Sequence, residues 1–241
     1  MKCQLRCEDR KLVRSHIIPE FFYSALYDEK HVLHQHVRTT GEVKFVQKGH
    51  REPLLCEDCE GLLNDRYEKY FKKAWYDDGG LPKVPRFEQG AITGLDYRPF
   101  KLCLLSILWR ASIAKQALFS HVQLGSKHER TIRQMLIEDD PGPEDLYPIA
   151  ADVLWLKDYV VRSPILQPVD RRYGHKRVYI LGFGGCMWWF LVGSDSSDLF
   201  RCLTIRKDGT LPITWQNFAK LQIIRQFLTD HDAAARRRSL K

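Results

Sequence analysis

Two cysteine pairs, Cys3-x3-Cys7 and Cys56-x2-Cys59, constrain this chain of 241 residues more than any other feature. Four thiolates satisfy tetrahedral Zn²⁺, and a bound metal staples a small module that lacks a core of its own. Cys56-Glu57-Asp58-Cys59 has the tight spacing of a knuckle at a helix N-terminus, whereas Cys3 to Cys7 is one residue longer. The competing reading leaves these thiols unmetallated. The remaining cysteines, Cys103, Cys186 and Cys202, stand singly among apolar residues and read as buried hydrophobes.

Seven cysteines is an odd number, and the first residues, MKCQLRCEDRKLVRSH, contain no apolar signal region. The expected compartment is therefore the cytoplasm, where clustered cysteines read as metal ligands rather than disulfides. The longest apolar stretch, Val178 to Gly193, is too short for a bilayer and is interrupted by glycine, so no membrane partner is expected. Lys and Arg outnumber Asp and Glu by 38 to 30, for a net charge of +8. This excess falls in residues 78–241 and favours an anionic partner.

Asp77-Asp78-Gly79-Gly80-Leu81-Pro82 supplies turn residues and a helix stop, which divides the chain into domains at 1–77 and 78–241. In the first, Leu12 to Ile18 reads as a strand and Pro19 to Leu26 as a helix. His31 to Val37 and Glu42 to Val46 read as a hairpin turned at Thr40-Gly41, and Cys56 to Trp75 as a second helix. In the second, Pro99 opens a long apolar helix in which Arg110 and Lys115 are the only charges after Lys101. Lys127 to Asp139 reads as a shorter helix. Strand patterns follow at Ala151–Leu156, Arg177–Leu181, Met187–Val192 and Cys202–Ile205, and a final helix is expected over Trp215–Leu228. The fold class is α+β, with a small antiparallel sheet in the second domain, and the tail with Arg236-Arg237-Arg238 reads as frayed.

The order CxxxC, then Ser15-His16-Ile17-Ile18-Pro19, then Leu54-Leu55-Cys56-Glu57-Asp58-Cys59-Glu60 opening a helix resembles the zinc-stapled branch of the HNH endonucleases, the ββα-metal or His-Me finger nucleases. The resemblance covers about residues 1–75. The segment Leu105 to Arg110 also looks like the C-terminal part of uncharacterised bacterial proteins carrying such a module. The resemblance implies an N-terminal ββα-metal module with a structural Zn²⁺ on Cys3, Cys7, Cys56 and Cys59. It implies His16 as the general base that activates water for phosphodiester hydrolysis. Glu60, with help from Asn64 or Ser15, would hold a catalytic Mg²⁺ or Mn²⁺. DNA is the implied substrate, and a role against foreign DNA in bacteria follows from the same likeness.

The chain departs from the family pattern in three places. Ser15 stands where a metal-binding Asp is usual. No Asn lies between His16 and Cys56, a region that offers His50, Arg51 or Glu52. Glu60 replaces the last His or Asn. A non-catalytic zinc module that binds nucleic acid or a partner protein is the competing reading. A third is a nuclease silent until a regulatory protein partner displaces part of residues 78–241.

Other features carry weaker signals. Arg171, Arg172, His175, Lys176 and Arg177 form the densest basic cluster and read as a phosphate-contacting hairpin, with Arg171, Arg172, Lys176 and Arg177 as the nucleic-acid-binding candidates. His34 and His36 share one strand face at a spacing that permits metal binding, although a solvated face is the simpler reading. Leu181-Gly182-Phe183-Gly184-Gly185 lacks the Lys-Ser/Thr of a phosphate loop and reads as a hairpin turn.

Overall fold

The computed structural model describes residues 1–30, 32–36, 43–88, 90–194 and 202–221. Strand β1 (Leu12–His16) is followed by two short 3₁₀ turns, Glu20–Phe22 and Ser24–Leu26, in place of the expected single helix. One helical stripe would not serve this segment, because Phe22 packs on Phe71 and Phe183 while Tyr23 lies against the rings of His16 and His50. Strands β2 (Val32–His36) and β3 (Val43–Gln47) pair antiparallel. The side chains of His34 and His36, the Thr40-Gly41 turn and the arginines 236–238 lie outside the described residues.

Strand β4 (Arg51–Cys56) is the partner of β1, in antiparallel register from Leu12 opposite Cys56 to His16 opposite Arg51. Pro53 sits within it, and the register slips there so that Leu54 has no cross-strand partner. Proline cannot donate to a ladder, and a bulge accommodates it. The carbonyl of Leu54 accepts the N–H of Gln4 instead, which ties the N-terminal segment to β4. A continuous helical run then carries α1 (Glu57–Leu63), a π turn (Asn64–Glu68), α2 (Lys69–Lys72) and a second π turn (Lys73–Asp77). Its buried residues Leu63, Tyr67, Phe71 and Trp75 recur at helical spacing.

Beyond residue 78, β5 (Ala91–Ile92) precedes α3 (Tyr97–Ile113). The α3 cap is Asp96, whose carboxylate accepts the N–H of Arg98, so the helix begins two residues ahead of Pro99. Helix α3 is buried almost throughout, including Lys101 and Arg110. The Lys101 Nζ donates to Tyr97 Oη at 2.8 Å and to the carbonyls of Pro143 and Leu146 at 2.9 and 2.7 Å. All three donors are thereby used, while burial draws the group down to about 7. Helix α4 (Ser126–Glu138) packs on α3 and ends at Asp139, whose φ is +58°.

The strands β6 (Ile149–Leu156), β7 (Tyr159–Val160), β8 (Leu166–Tyr173), β9 (Lys176–Phe183), β10 (Cys186–Leu191) and β11 (Leu211–Asn217) join β5 in a seven-stranded sheet. Its order is β5-β11-β6-β10-β9-β8, with β7 on β6. The sheet is larger than expected and mixed, because β11 runs parallel to β6. Trp215 belongs to β11 rather than to a final helix, since Leu211 and Ile213 alternate inward and extend the strand through Asn217; residues 222–228 lie outside the described ones. Near Cys202–Ile205 the described structure is a turn and one isolated bridge, Thr204 to Ala150, rather than a strand.

The core does not stop at residue 78. One buried cluster extends from Cys3 to Ile213. Its aromatic seam stacks Phe71 on Phe100 at 4.7 Å between ring centroids and sets Trp75 against Trp188 at 5.2 Å. The Trp75 Nε1 donates to the carbonyl of Gly184 at 2.9 Å, in the turn that joins β9 to β10. Both glycines of that turn have positive φ, and a Cβ on Gly184 would stand 2.5 Å from the Phe22 ring. The sheet thus reaches the N-terminal module through a turn that only glycine permits. Trp75→Ala is expected to cost about 3–5 kcal/mol in urea unfolding of the full chain, from lost burial and an orphaned carbonyl. A loss under about 1 kcal/mol would mean that the two parts are held together elsewhere.

Candidate functional site

The first ten residues fold back on themselves. Cys3 N–H donates to Glu8 O at 2.8 Å and Arg10 N–H to Met1 O at 3.0 Å, which holds Cys3 over the start of α1. Cys56 is the residue before that helix, and its N–H donates to Cys3 Sγ at 3.4 Å. Cys59 lies in the first turn. The sulfurs of Cys3, Cys56 and Cys59 are buried and within 4.8 Å of one another. Tetrahedral Zn–S geometry needs sulfurs about 3.8 Å apart, so a small adjustment suffices. Burial raises the Cys59 thiol to about 12, and the neighbouring thiols of Cys56 and Cys3 add to this. Burial also acts upward on Cys3, but backbone N–H groups of Arg6, Cys56 and Leu5 outweigh it and lower the thiol. Three crowded sulfurs with no disulfide among them suit a soft cation, which would remove their protons.

Cys7 does not join this group. Its thiol is exposed and lies 3.8 Å from Gln4 O, its φ is +61°, and its N–H donates to Cys3 O at 2.8 Å.

His16 ends β1, and its Nε2 lies 3.0 Å from the carbonyl of Lys48. A carbonyl only accepts, so Nε2 carries the proton and Nδ1 keeps its lone pair. Lys48 and Gly49 both have positive φ, 57° and 70°, and this kink presents the Lys48 carbonyl to the ring. The next residue, His50, returns a carbonyl to Ile17 N–H and bonds Gln116 Oε1 through Nδ1 at 2.7 Å. Gln116 Nε2 in turn donates to Arg51 O, and the Glu52 carboxylate accepts the N–H groups of Lys115 and Gln116. The loop leading into β4 is thus held by residues following α3.

Burial lowers the His16 imidazole below the usual histidine value; the Lys48 carbonyl, Glu20 and Glu60 oppose this, and Arg51 reinforces it. Glu60 and Arg51 are thus electrostatic neighbours of the ring from α1 and β4. Both carry an orphan: Glu60 Oε2 and Arg51 Nε are buried and have no hydrogen-bond partner, as is the hydroxyl of Ser15. Unsatisfied groups of opposite charge beside one histidine fit a site built for ligands, a cation for the carboxylate and an anion for the guanidinium. Asn64 is directed elsewhere, donating to Asp65 Oδ1 at 3.4 Å.

The basic hairpin β8–β9 is formed, with Arg172 directly opposite Arg177. Its candidates are partly committed to their own fold. Lys176 Nζ donates to Ser194 O, Arg177 Nη1 to Gln123 O at 3.1 Å and Tyr179 Oη at 3.2 Å, and Arg171 Nη1 to Asp170 O at 3.1 Å. Among the described residues none of Arg171, Arg172, Lys176 and Arg177 is bonded to a residue of the His16 site.

Arg51, the Lys48 carbonyl, Gln116, Glu68 and Arg110 belong to the site's surroundings without having been singled out as site residues. The sequence signals two of them, Arg51 in the polar segment His50–Glu52 and Arg110 as one of the few charges in an apolar helix. No family model matches this chain, and neither a curated protein nor a solved structure does.

Metal analysis of the purified chain should find about one zinc per molecule. Cys59→Ser should remove it and lower the melting temperature by on the order of 10 °C, since the binding energy is folding energy. Zinc content unchanged by Cys59→Ser would reject the cluster as the binding site.

Proposed function

We propose that the chain is a metal-dependent endonuclease of the HNH, or ββα-metal, type that hydrolyses phosphodiester bonds in DNA. The observation that carries this reading is His16, held as the Nε2–H tautomer with Nδ1 free, next to the buried unpartnered groups Glu60 Oε2 and Arg51 Nε. The likeness of residues 1–75 to that family, and the β1, β4 and α1 elements that carry these side chains, support it.

His16 Nδ1 takes the proton of an attacking water, and its depressed pKa keeps the ring neutral near pH 7. Arg51 holds a non-bridging phosphate oxygen, a role suited to a guanidinium with an unused N–H. Glu60 would be the hard oxygen ligand for Mg²⁺ or Mn²⁺, with the unpartnered hydroxyl of Ser15 as a candidate to assist and Asn64 less suited. A divalent cation bound there would neutralise charge on the phosphate and the leaving oxygen. Cys3, Cys56 and Cys59 would supply thiolates to a structural Zn²⁺.

No helix among the described residues is long and apolar enough to cross a membrane, and a reducing cytoplasm suits the thiolate cluster. The net charge of +8 favours a polyanionic substrate. Defence of a bacterial cell against foreign DNA is the biological role this reading suggests. A non-catalytic zinc module binding nucleic acid or a partner protein is the second reading. Ser15 favours it by bringing no carboxylate, and so does Asn64 by turning to Asp65.

Cleavage of supercoiled plasmid with Mg²⁺ or Mn²⁺ separates the two. His16→Ala should lose about 10²–10⁴-fold in rate while keeping zinc and fold, and Glu60→Gln should require far more divalent metal. Equal traces of cleavage in wild type and His16→Ala would sink the nuclease reading, and DNA binding without cleavage would favour the second. Arg51→Ala is expected to lower kcat/KM by about 10–150-fold, the cost of about 1.5–3 kcal/mol for a charge-assisted bond to phosphate. An unchanged kcat/KM would remove Arg51 from the substrate contact.

A further inference from the structure

We propose that Arg110 is a positioning residue for His16: from α3 it fixes the backbone of the base and the helix that carries Glu60 in one rigid arrangement. The proposal rests on the reading of His16 as general base.

Arg110 is 0% exposed. Its Nη1 donates to the carbonyl of His16 at 2.8 Å, and its Nη2 to Glu68 Oε1 at 2.8 Å and to Ser106 Oγ at 3.1 Å. Its Nε reaches Ser106 O at 3.3 Å, within its own helix. A guanidinium is planar and rigid, so the atoms it bonds are held at set separations. Two of those atoms belong to the elements that must meet for catalysis. The His16 carbonyl marks the end of β1, and Glu68 lies on the helical run that bears Glu60, close enough for the Glu60 charge to act on it. The ring of His16 is held by Lys48 O, a bond that keeps its length only while the His16 backbone stays where Arg110 fixes it.

Stability alone is a poor account of this group. Removing a guanidinium and a carboxylate from water is costly, and apolar residues of similar volume often replace such a pair without loss. Lys101, the other buried cation of α3, is satisfied by oxygens of its own neighbourhood, whereas Arg110 reaches the carbonyl of His16, a contact that a purely apolar core would leave unmade. Burial pushes the Glu68 carboxyl upward and Arg110 opposes it, so the two are matched to each other.

The test is steady-state cleavage by the full chain carrying R110M together with E68L, which exchanges the pair for apolar residues. This variant should keep zinc and melt within about 4 °C of wild type. Its kcat should nevertheless fall about 10²-fold with KM unchanged, the signature of a displaced reacting group. R110K, which keeps the charge and loses the planar fork, should fall in between, and it carries the comparison if the double variant does not fold. A folded variant with wild-type kcat, or one altered only in KM, overturns the proposal.

A second readout is independent of cleavage. The imidazole ¹⁵N resonances of His16 should report a single Nε2–H tautomer in wild type and a mixture in the double variant. If the wild-type chain cleaves nothing, the nuclease reading fails, and an unchanged tautomer signature then overturns the positioning role on its own.

Discussion

The helical run Glu57–Asp77 depends on a seam of aromatic rings, and everything at the candidate site depends on that run. Phe71 and Trp75 lie against Phe100 of α3 and Trp188 of β10, where rings of this size bury far more area than aliphatic contacts of the same reach. The same run meets α3 a second time where Glu68 accepts from Arg110, so one helix is anchored on α3 both by apolar packing and by a directed polar contact. Its two π turns, Asn64–Glu68 and Lys73–Asp77, shift the side-chain phase along it.

The buried charges show how polar groups are admitted to so apolar a core. Helix α3 buries two cations. Lys101 is surrounded by three oxygens and needs no ligand. Arg110 is likewise satisfied, by a carboxylate and backbone or hydroxyl oxygens. Against that standard the unpartnered atoms of Glu60, Arg51 and Ser15 stand out, because the same chain satisfies more demanding groups a short distance away. The difference sets Glu60 and Arg51 apart from the satisfied cations of α3, whereas the orphaned hydroxyls of Ser15 and Tyr23 lie wholly within the core.

Much of this was legible in the sequence, and the parts that were not have physical reasons. The spacing of Cys3, Cys56 and Cys59 marks them as thiols that could share a metal, and the structure brings their sulfurs together, whereas the exposure of Cys7 is something that spacing does not reveal. The helix expected over Cys56–Trp75 is legible from apolar periodicity, whereas the apolar helix opened at Pro99 stops at Ile113, short of Lys115, and Ala117–Phe119 forms a 3₁₀ turn. Strand β4 was missed because Pro53 and its charged neighbours resemble a loop, and its pairing with β1 depends on a bulge. Strand β8 was missed for a similar reason, as Pro168 and the run Asp170-Arg171-Arg172 hide an edge strand of low burial. The apolar residues around Trp215 fit both periods, and pairing with β6 decides for the strand. His16 and Glu60 were named from a motif, whereas Arg51, Gln116 and Arg110 approach the site through tertiary contacts of long sequence separation.

That separation sets an order of events during synthesis. The N-terminal 77 residues leave the ribosome first, yet Arg110 and Gln116, which hold His16 and its loop, are still to come, as is the Gly184 carbonyl that receives Trp75. At about 5–20 residues per second, several seconds or more pass between the emergence of His16 and of the turn at Gly184-Gly185. A nascent chain therefore carries the histidine and the carboxylate long before it can align them, and the completed sheet acts as a built-in delay.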